Sequence, residues 1–98
     1  MRVEFTDKAR HDLLAIADYI AQFDPYRALT FTRELRHKCN GLAEFPERFP
    51  LTQRYASKGV RQRVHGNYLI FYRIESDKII VLHIIHGARG VEDWSTEH

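Results

Sequence analysis

The chain predicts an α+β two-layer domain ordered β-α-α-β-β-β, with a helical hairpin packed on a small antiparallel sheet. Three observations carry this reading. Apolar residues recur at spacings of three and four from Leu13 to Leu42, the period of a buried helical stripe. After Gly59 the period falls to two, and the residues become β-branched and aromatic. Between the two regimes lies a loop with Pro46 and Pro50, which no helix interior tolerates.

Each element has a local cause. Val3-Glu4-Phe5 alternates and reads as a short edge strand. Thr6 then caps a helix, with Asp7 placed where a negative charge meets the positive end of the helix dipole. Leu13, Ile16, Ala17 and Ile20 form its apolar stripe, while Asp12 and Asp18 fall outside it and are expected to face solvent. Asp24-Pro25 starts a second helix, because Pro is pre-organised for the first helical position. Ala28, Phe31, Leu35, Cys39 and Leu42 continue it, with an end expected near residues 43–45. Only a few residues join the helices, so they should lie antiparallel. Val60 to His65, Tyr68 to Ile74 and Lys78 to His86 then read as a three-stranded meander, turned at Gly66-Asn67 and Ser76-Asp77.

The last two strands are apolar on both faces. Strict alternation puts Leu69, Phe71 and Arg73 opposite Tyr68, Ile70, Tyr72 and Ile74; it also puts His83 and His86 on opposite faces. A sheet with one wet face alternates more cleanly than this. Two helices cover one face, so the other needs a cover. The candidates are the loop through Phe49, Leu51 and Tyr55, the tail through Val91 and Trp94, or a partner protein, which we favour at this chain length.

Length and composition narrow the function. Ninety-eight residues make one domain, too short for a cofactor-binding domain beside a substrate domain, and there is no glycine-rich phosphate loop. No apolar run is long enough for a membrane span, and the charged N-terminus is unlike a signal peptide, so a cytoplasmic location is expected. The lone Cys39 excludes an internal disulfide and a cysteine metal cage, and its place on the helical stripe makes it a core residue. No metal or cofactor is expected. Net charge is only +2, but residues 48–74 hold Arg48, Arg54, Lys58, Arg61, Arg63 and Arg73 and no acid. Such a run attracts phosphates or an acidic protein surface, or simply forms a solvated face. Arg61, Arg63 and His65 share one strand face, able to grip a phosphate backbone or to keep an edge strand from aggregating. His83 reads as a core histidine. His86 ends its strand before Gly87, where an accessible group can bond or transfer protons. Arg89, between Gly87 and Gly90, can anchor an anion or tie down the tail.

Val60-Arg61-Gln62-Arg63-Val64, Gly66 through Ile74, and Ile84-Ile85-His86-Gly87-Ala88-Arg89, with Phe45-Pro46 before them, resemble the RelE/ParE superfamily of bacterial toxins in order along nearly the whole chain. The resemblance implies a single toxin domain over residues 1–98 with a helical hairpin on a small sheet. One branch cleaves mRNA on the ribosome; the ParE branch poisons DNA gyrase and blocks replication without established catalytic residues of its own. Leu69 stands where the nuclease branch carries an essential arginine, and Trp94 and Ser95 stand where it carries a tyrosine. Leucine cannot stabilise charge developing on a phosphate. The chain therefore leans to the ParE branch, a gyrase-binding toxin rather than an enzyme. Were it a nuclease, Arg61, Arg63, His86 and Arg89 would carry the chemistry. The resemblance also implies a cognate antitoxin, a ParD-like DNA-binding dimer that folds along the toxin in a hetero-oligomer, while the toxin itself reads no DNA sequence. Contacts with target or antitoxin are expected at Arg61, Arg63, His65, Leu69, Phe71, Arg73, His86, Arg89 and Trp94.

Overall fold

A computed structural model describes residues 1–87. Strand β1 (Arg2–Phe5) leads into helix α1 (Asp7–Ala21) and helix α2 (Pro25–Asn40). Short 3-10 turns follow at Gly41–Ala43 and Ala56–Lys58, and the meander is β2 (Arg61–His65), β3 (Tyr68–Glu75) and β4 (Lys78–His86). Both caps act as the sequence predicts. Thr6 Oγ1 accepts from the Ala9 amide at 3.0 Å, and Asp24 Oδ1 from the Arg27 amide at 3.0 Å. Helix α2 stops at Asn40 and tightens into a 3-10 turn, earlier than the apolar spacing through Leu42 suggests. Leu42 is still fully buried, because a tighter turn keeps it on the same side.

The sheet order is β1-β4-β3-β2. The meander is antiparallel, but β1 joins β4 in parallel, Phe5 opposite Val81, so the complete sheet is mixed. The parallel pairing follows from connectivity: β1 reaches β4 through the helical hairpin and two antiparallel reversals. The two hairpin turns share a geometry. Gly66 has φ 59° and Ser76 φ 54°, while Asn67 and Asp77 keep negative φ. Positive φ at the first central residue alone marks the II′ class, where Gly leads. This is why Gly-Asn works here in reverse of the commoner Asn-Gly order.

Strict alternation fails in β4. Phe71 pairs with His83 but Tyr72 with Val81, so Leu82 is an extra residue. This β-bulge reverses the phase of the strand beyond it. Ile79, Val81 and Ile84 pack with Leu13, Ile16, Leu35, Ile70 and Tyr72 under the helices. Leu82 and Ile85 pack with Phe71, Tyr55 and Val60 on the other face. The expectation that His83 and His86 look to opposite faces is therefore corrected: His83 Nδ1 lies 3.3 Å from Asp12 of α1, and His86 lines the same cleft as Asp12.

The doubly apolar sheet is also less bare than its pattern suggests. Phe71, Leu82 and Ile85 are buried on the outer face, where the loop delivers Tyr55 and Val60 beside them. The preference for a partner as the cover of that face gives way to this self-packing. The expected cover by Val91 and Trp94 lies outside the described residues. Val64, opposite Leu69 on that face, stands in solvent at 61% exposure, and other large exposed apolar side chains lie on the helices. Leu14, Tyr19, Phe23, Tyr26 and Leu29, all between 59% and 74% exposed, crowd the helical hairpin.

Candidate functional site

Arg61, Arg63 and His65 do share a strand face, and it is the helix-facing one, since their cross-strand partners are Tyr72, Ile70 and Tyr68. The helices do not reach fully over β2, and these long side chains seal the margin. Arg61 Nη1 donates to the carbonyls of Phe49 at 2.7 Å and Glu47 at 3.2 Å. Arg63 Nη1 donates to Lys38 O at 3.2 Å, in the last turn of α2, and its guanidinium stacks 4.7 Å from the Phe49 ring centre. A cation is favourable there because carbonyls at a helix C-terminus lack intrahelical partners. The Tyr72 hydroxyl adds a third stitch, donating to Pro46 O at 2.7 Å; burial raises its pKa and keeps it protonated. Two arginines and a tyrosine thus fix the loop between Pro46 and Pro50.

His65 stacks on Phe31 at 5.6 Å between ring centres, and its Nε2 lies 3.5 Å from Glu34 Oε1. Glu34 is held mainly by Arg27 at 2.8 Å, which keeps its carboxyl below the usual range. Leu69 is half-buried against the outer cluster and Phe71 is completely buried within it. Arg73 Nε donates to Glu75 Oε2 at 2.7 Å. Cys39 is fully buried, its thiol pushed up to about 12 by desolvation, which leaves no thiolate for chemistry near neutrality. Arg89 and Trp94 lie outside the described residues. Among the described residues no cluster has the composition of a metal site, and no helix is long and apolar enough to cross a membrane.

One concave feature is a cleft between α1 and the end of β4. Its volume is about 400 Å3, and its walls are Asp12, Ala15, Ile16 and Tyr19 from α1, Tyr68 from β3, and Ile84 and His86 from β4. The bulge builds it. Strand β1 ends opposite Val81, so β4 runs on without a strand neighbour on that side. Helix α1 takes over that edge. Thr6 Oγ1 donates to the Leu82 carbonyl at 3.0 Å, and Asp12 Oδ2 accepts from the Ile84 amide at 2.9 Å. Asp12 is thus turned inward, against its expected solvent position, because buried ladder groups need partners. With the phase reversed, His86 comes beside Tyr68 at 5.1 Å, edge to face. Of the predicted site residues that are described, only His86 lies on this cleft. Alternation does not reveal the cleft, because a bulge has no signature in residue type.

Residues 3–91 match the profile of the ParE toxin of the type II toxin-antitoxin system parDE. Toxin RelE2 of Caulobacter vibrioides is 36% identical over 89 residues, covering 90% of this chain and 97% of that protein. A chain of the chromosomal ParDE toxin-antitoxin system from P. aeruginosa superposes with a TM-score of 0.72 at 24% identity, over 88% of this chain and 95% of that one. A chain of the toxin-antitoxin complex RelBE2 from Mycobacterium tuberculosis gives 0.61 at 24% identity, over 87% and 95%. These two solved structures share the fold described above.

Proposed function

The chain belongs to the ParE toxin family of type II toxin-antitoxin systems, within the RelE/ParE superfamily, and on that premise we propose that it inhibits DNA gyrase, arrests replication and is neutralised by a cognate antitoxin. The observation that carries the choice of target is the state of the β2 arginines. Cleaving RNA requires cations poised where charge develops on the phosphate. Arg61 and Arg63 instead donate to main-chain carbonyls of Phe49, Glu47 and Lys38, and Leu69 contributes only apolar surface. That arrangement supports a toxin that acts by binding. A ParD-like, DNA-binding antitoxin is the partner this reading implies. The sheet alone does not call for it, since the outer face is packed by the chain's own Tyr55 and Val60.

A ribosome-dependent mRNA endonuclease is the second reading, favoured by the 36% identity to a protein named Toxin RelE2. Two assays on the purified chain separate them. In a gyrase supercoiling reaction the first reading expects loss of supercoiling with accumulation of cleaved DNA. In a translation reaction with primer-extension mapping it expects intact message. Codon-phased cuts alongside unimpaired gyrase would replace the first reading by the second.

A further inference from the structure

The cleft beside α1 has a chemistry of its own. Among the described residues its walls carry one carboxylate, two tyrosines and an imidazole beside aliphatic groups, and no lysine or arginine, in a chain that holds 15 of these. Asp12 Oδ2 is engaged by the Ile84 amide and His83 Nδ1, while no described residue bonds its other oxygen. Ala15, Ile16 and Ile84 provide an apolar wall, and Tyr19 stands at the rim, 59% exposed. An apolar passage between aromatic rings that ends on a carboxylate complements a cation carried on a hydrocarbon stem. An anion would meet Asp12 with no lysine or arginine among the described lining residues to offset it, and a purely apolar group would leave that carboxylate desolvated.

We propose that this cleft receives an arginine or lysine side chain of the neutralising partner, its stem along Ile16 and Ile84 and its charge against Asp12. The inference rests on the reading that a partner polypeptide neutralises this toxin, and it adds what that partner must present. It assigns Asp12 two tasks through two oxygens: one fixes the β4 bulge that shapes the cleft, and the other meets the incoming cation. A partner lacking a basic residue at this point would cover the second Asp12 oxygen without supplying it a donor, so the cleft selects among partners.

The test uses the intact chain. N-acetyl-arginine-amide and N-acetyl-norleucine-amide are titrated into isotope-labelled toxin, and backbone amide shifts are followed by NMR. The arginine probe should shift Ala15, Tyr19 and Ile84 and saturate at lower concentration than the norleucine probe. In Asp12→Asn, which keeps an acceptor for the Ile84 amide but no charge, that preference should vanish. The same variant should bind the co-expressed antitoxin about tenfold or more weakly, since a desolvated charge pair loses its partner. Tyr19→Ala, at a 59% exposed position whose ring touches only Phe23 among the described aromatic residues outside the cleft, should weaken it in the same direction. Arginine-probe shifts that map elsewhere, or antitoxin binding indifferent to both substitutions, would overturn the inference while leaving neutralisation intact. An Asp12-dependent probe response with no antitoxin binding at all would uphold the chemistry of the cleft and remove the neutralisation reading instead.

Discussion

The two margins of the sheet deal with unpaired main-chain groups by opposite chemistry. At β2, cations hold carbonyls: Arg61 those of Glu47 and Phe49, Arg63 that of Lys38. At the α1 side of β4, a carboxylate holds an amide and a hydroxyl holds a carbonyl, through Asp12 with Ile84 and Thr6 with Leu82. The first margin turns its guanidiniums inward. The second leaves one carboxylate oxygen beside a cavity. A run of basic residues in a sequence is therefore not yet a basic patch. Whether charge is offered to a partner depends on which main-chain groups the fold leaves open nearby.

The sharpest way to break this comparison is Arg63→Ala. It removes a charged hydrogen bond and a cation–π stack, together costing about 3 kcal/mol. Chemical denaturation should show that loss, and Arg63→Lys should restore only part of it, because an ammonium reproduces neither the planar stack nor the fork. Unchanged stability with lost toxicity would return Arg63 to the role of a target contact. At the opposite margin, Asp12→Ala strands the Ile84 amide and should cost about 2 kcal/mol, whereas Asp12→Asn keeps an acceptor and should cost under about 1 kcal/mol. Equal losses would mean that the charge, and not the hydrogen bond, holds the bulge.

The contrast between the margins also marks what the sequence makes legible. Helix starts were readable because a cap is a local bond: Thr6 and Asp24 serve amides three residues away. The meander was readable because Gly66-Asn67 and Ser76-Asp77 interrupt apolar runs of strand length. Asp12 was misread because its partner lies 72 residues away, so nothing in the helical spacing distinguishes it from solvent-facing Asp18. His86 changed face through Leu82, an ordinary strand residue whose insertion shows only in the pairing. The outer face looked bare because Tyr55 and Val60 belong to a loop without periodicity. Local signals gave the fold class, and non-local bonds decided the site.

A gentler comparison concerns the ion pairs bordering β2. Arg27 bonds Glu34 at 2.8 Å and holds its carboxyl below the ordinary value. A lowered folded pKa means that the unfolded chain binds the proton first. The contribution is thus complete above the unfolded pKa and disappears as pH falls through the folded one. Melting temperatures of the wild type and Glu34→Gln should differ at neutral pH and converge in acid. Both partners are exposed, so the difference should be small and should fade with salt. A gap that persists in acid and in high salt would point to packing on Phe31 and His65 instead.

The smallest effect lies at the β3–β4 turn, and it would sharpen every measurement above. Ser76 adopts φ 54°, a region L-residues rarely enter, at the turn position where β2–β3 uses Gly66. A Cβ at the equivalent Gly66 would meet Phe31 at 3.8 Å, an ordinary van der Waals contact, so the backbone alone favours glycine there. The same holds at Ser76. Replacing it removes strain of about 1 kcal/mol but gives the unfolded chain more freedom. Ser76→Gly should therefore stabilise the chain by only about 0.5 kcal/mol, read as a rise in denaturation midpoint with unchanged slope. The turn is remote in sequence from Asp12 and Arg63 and bonds neither, so its gain should add to their losses. Non-additivity with Asp12→Ala would show that the β4 bulge and this turn strain one strand together.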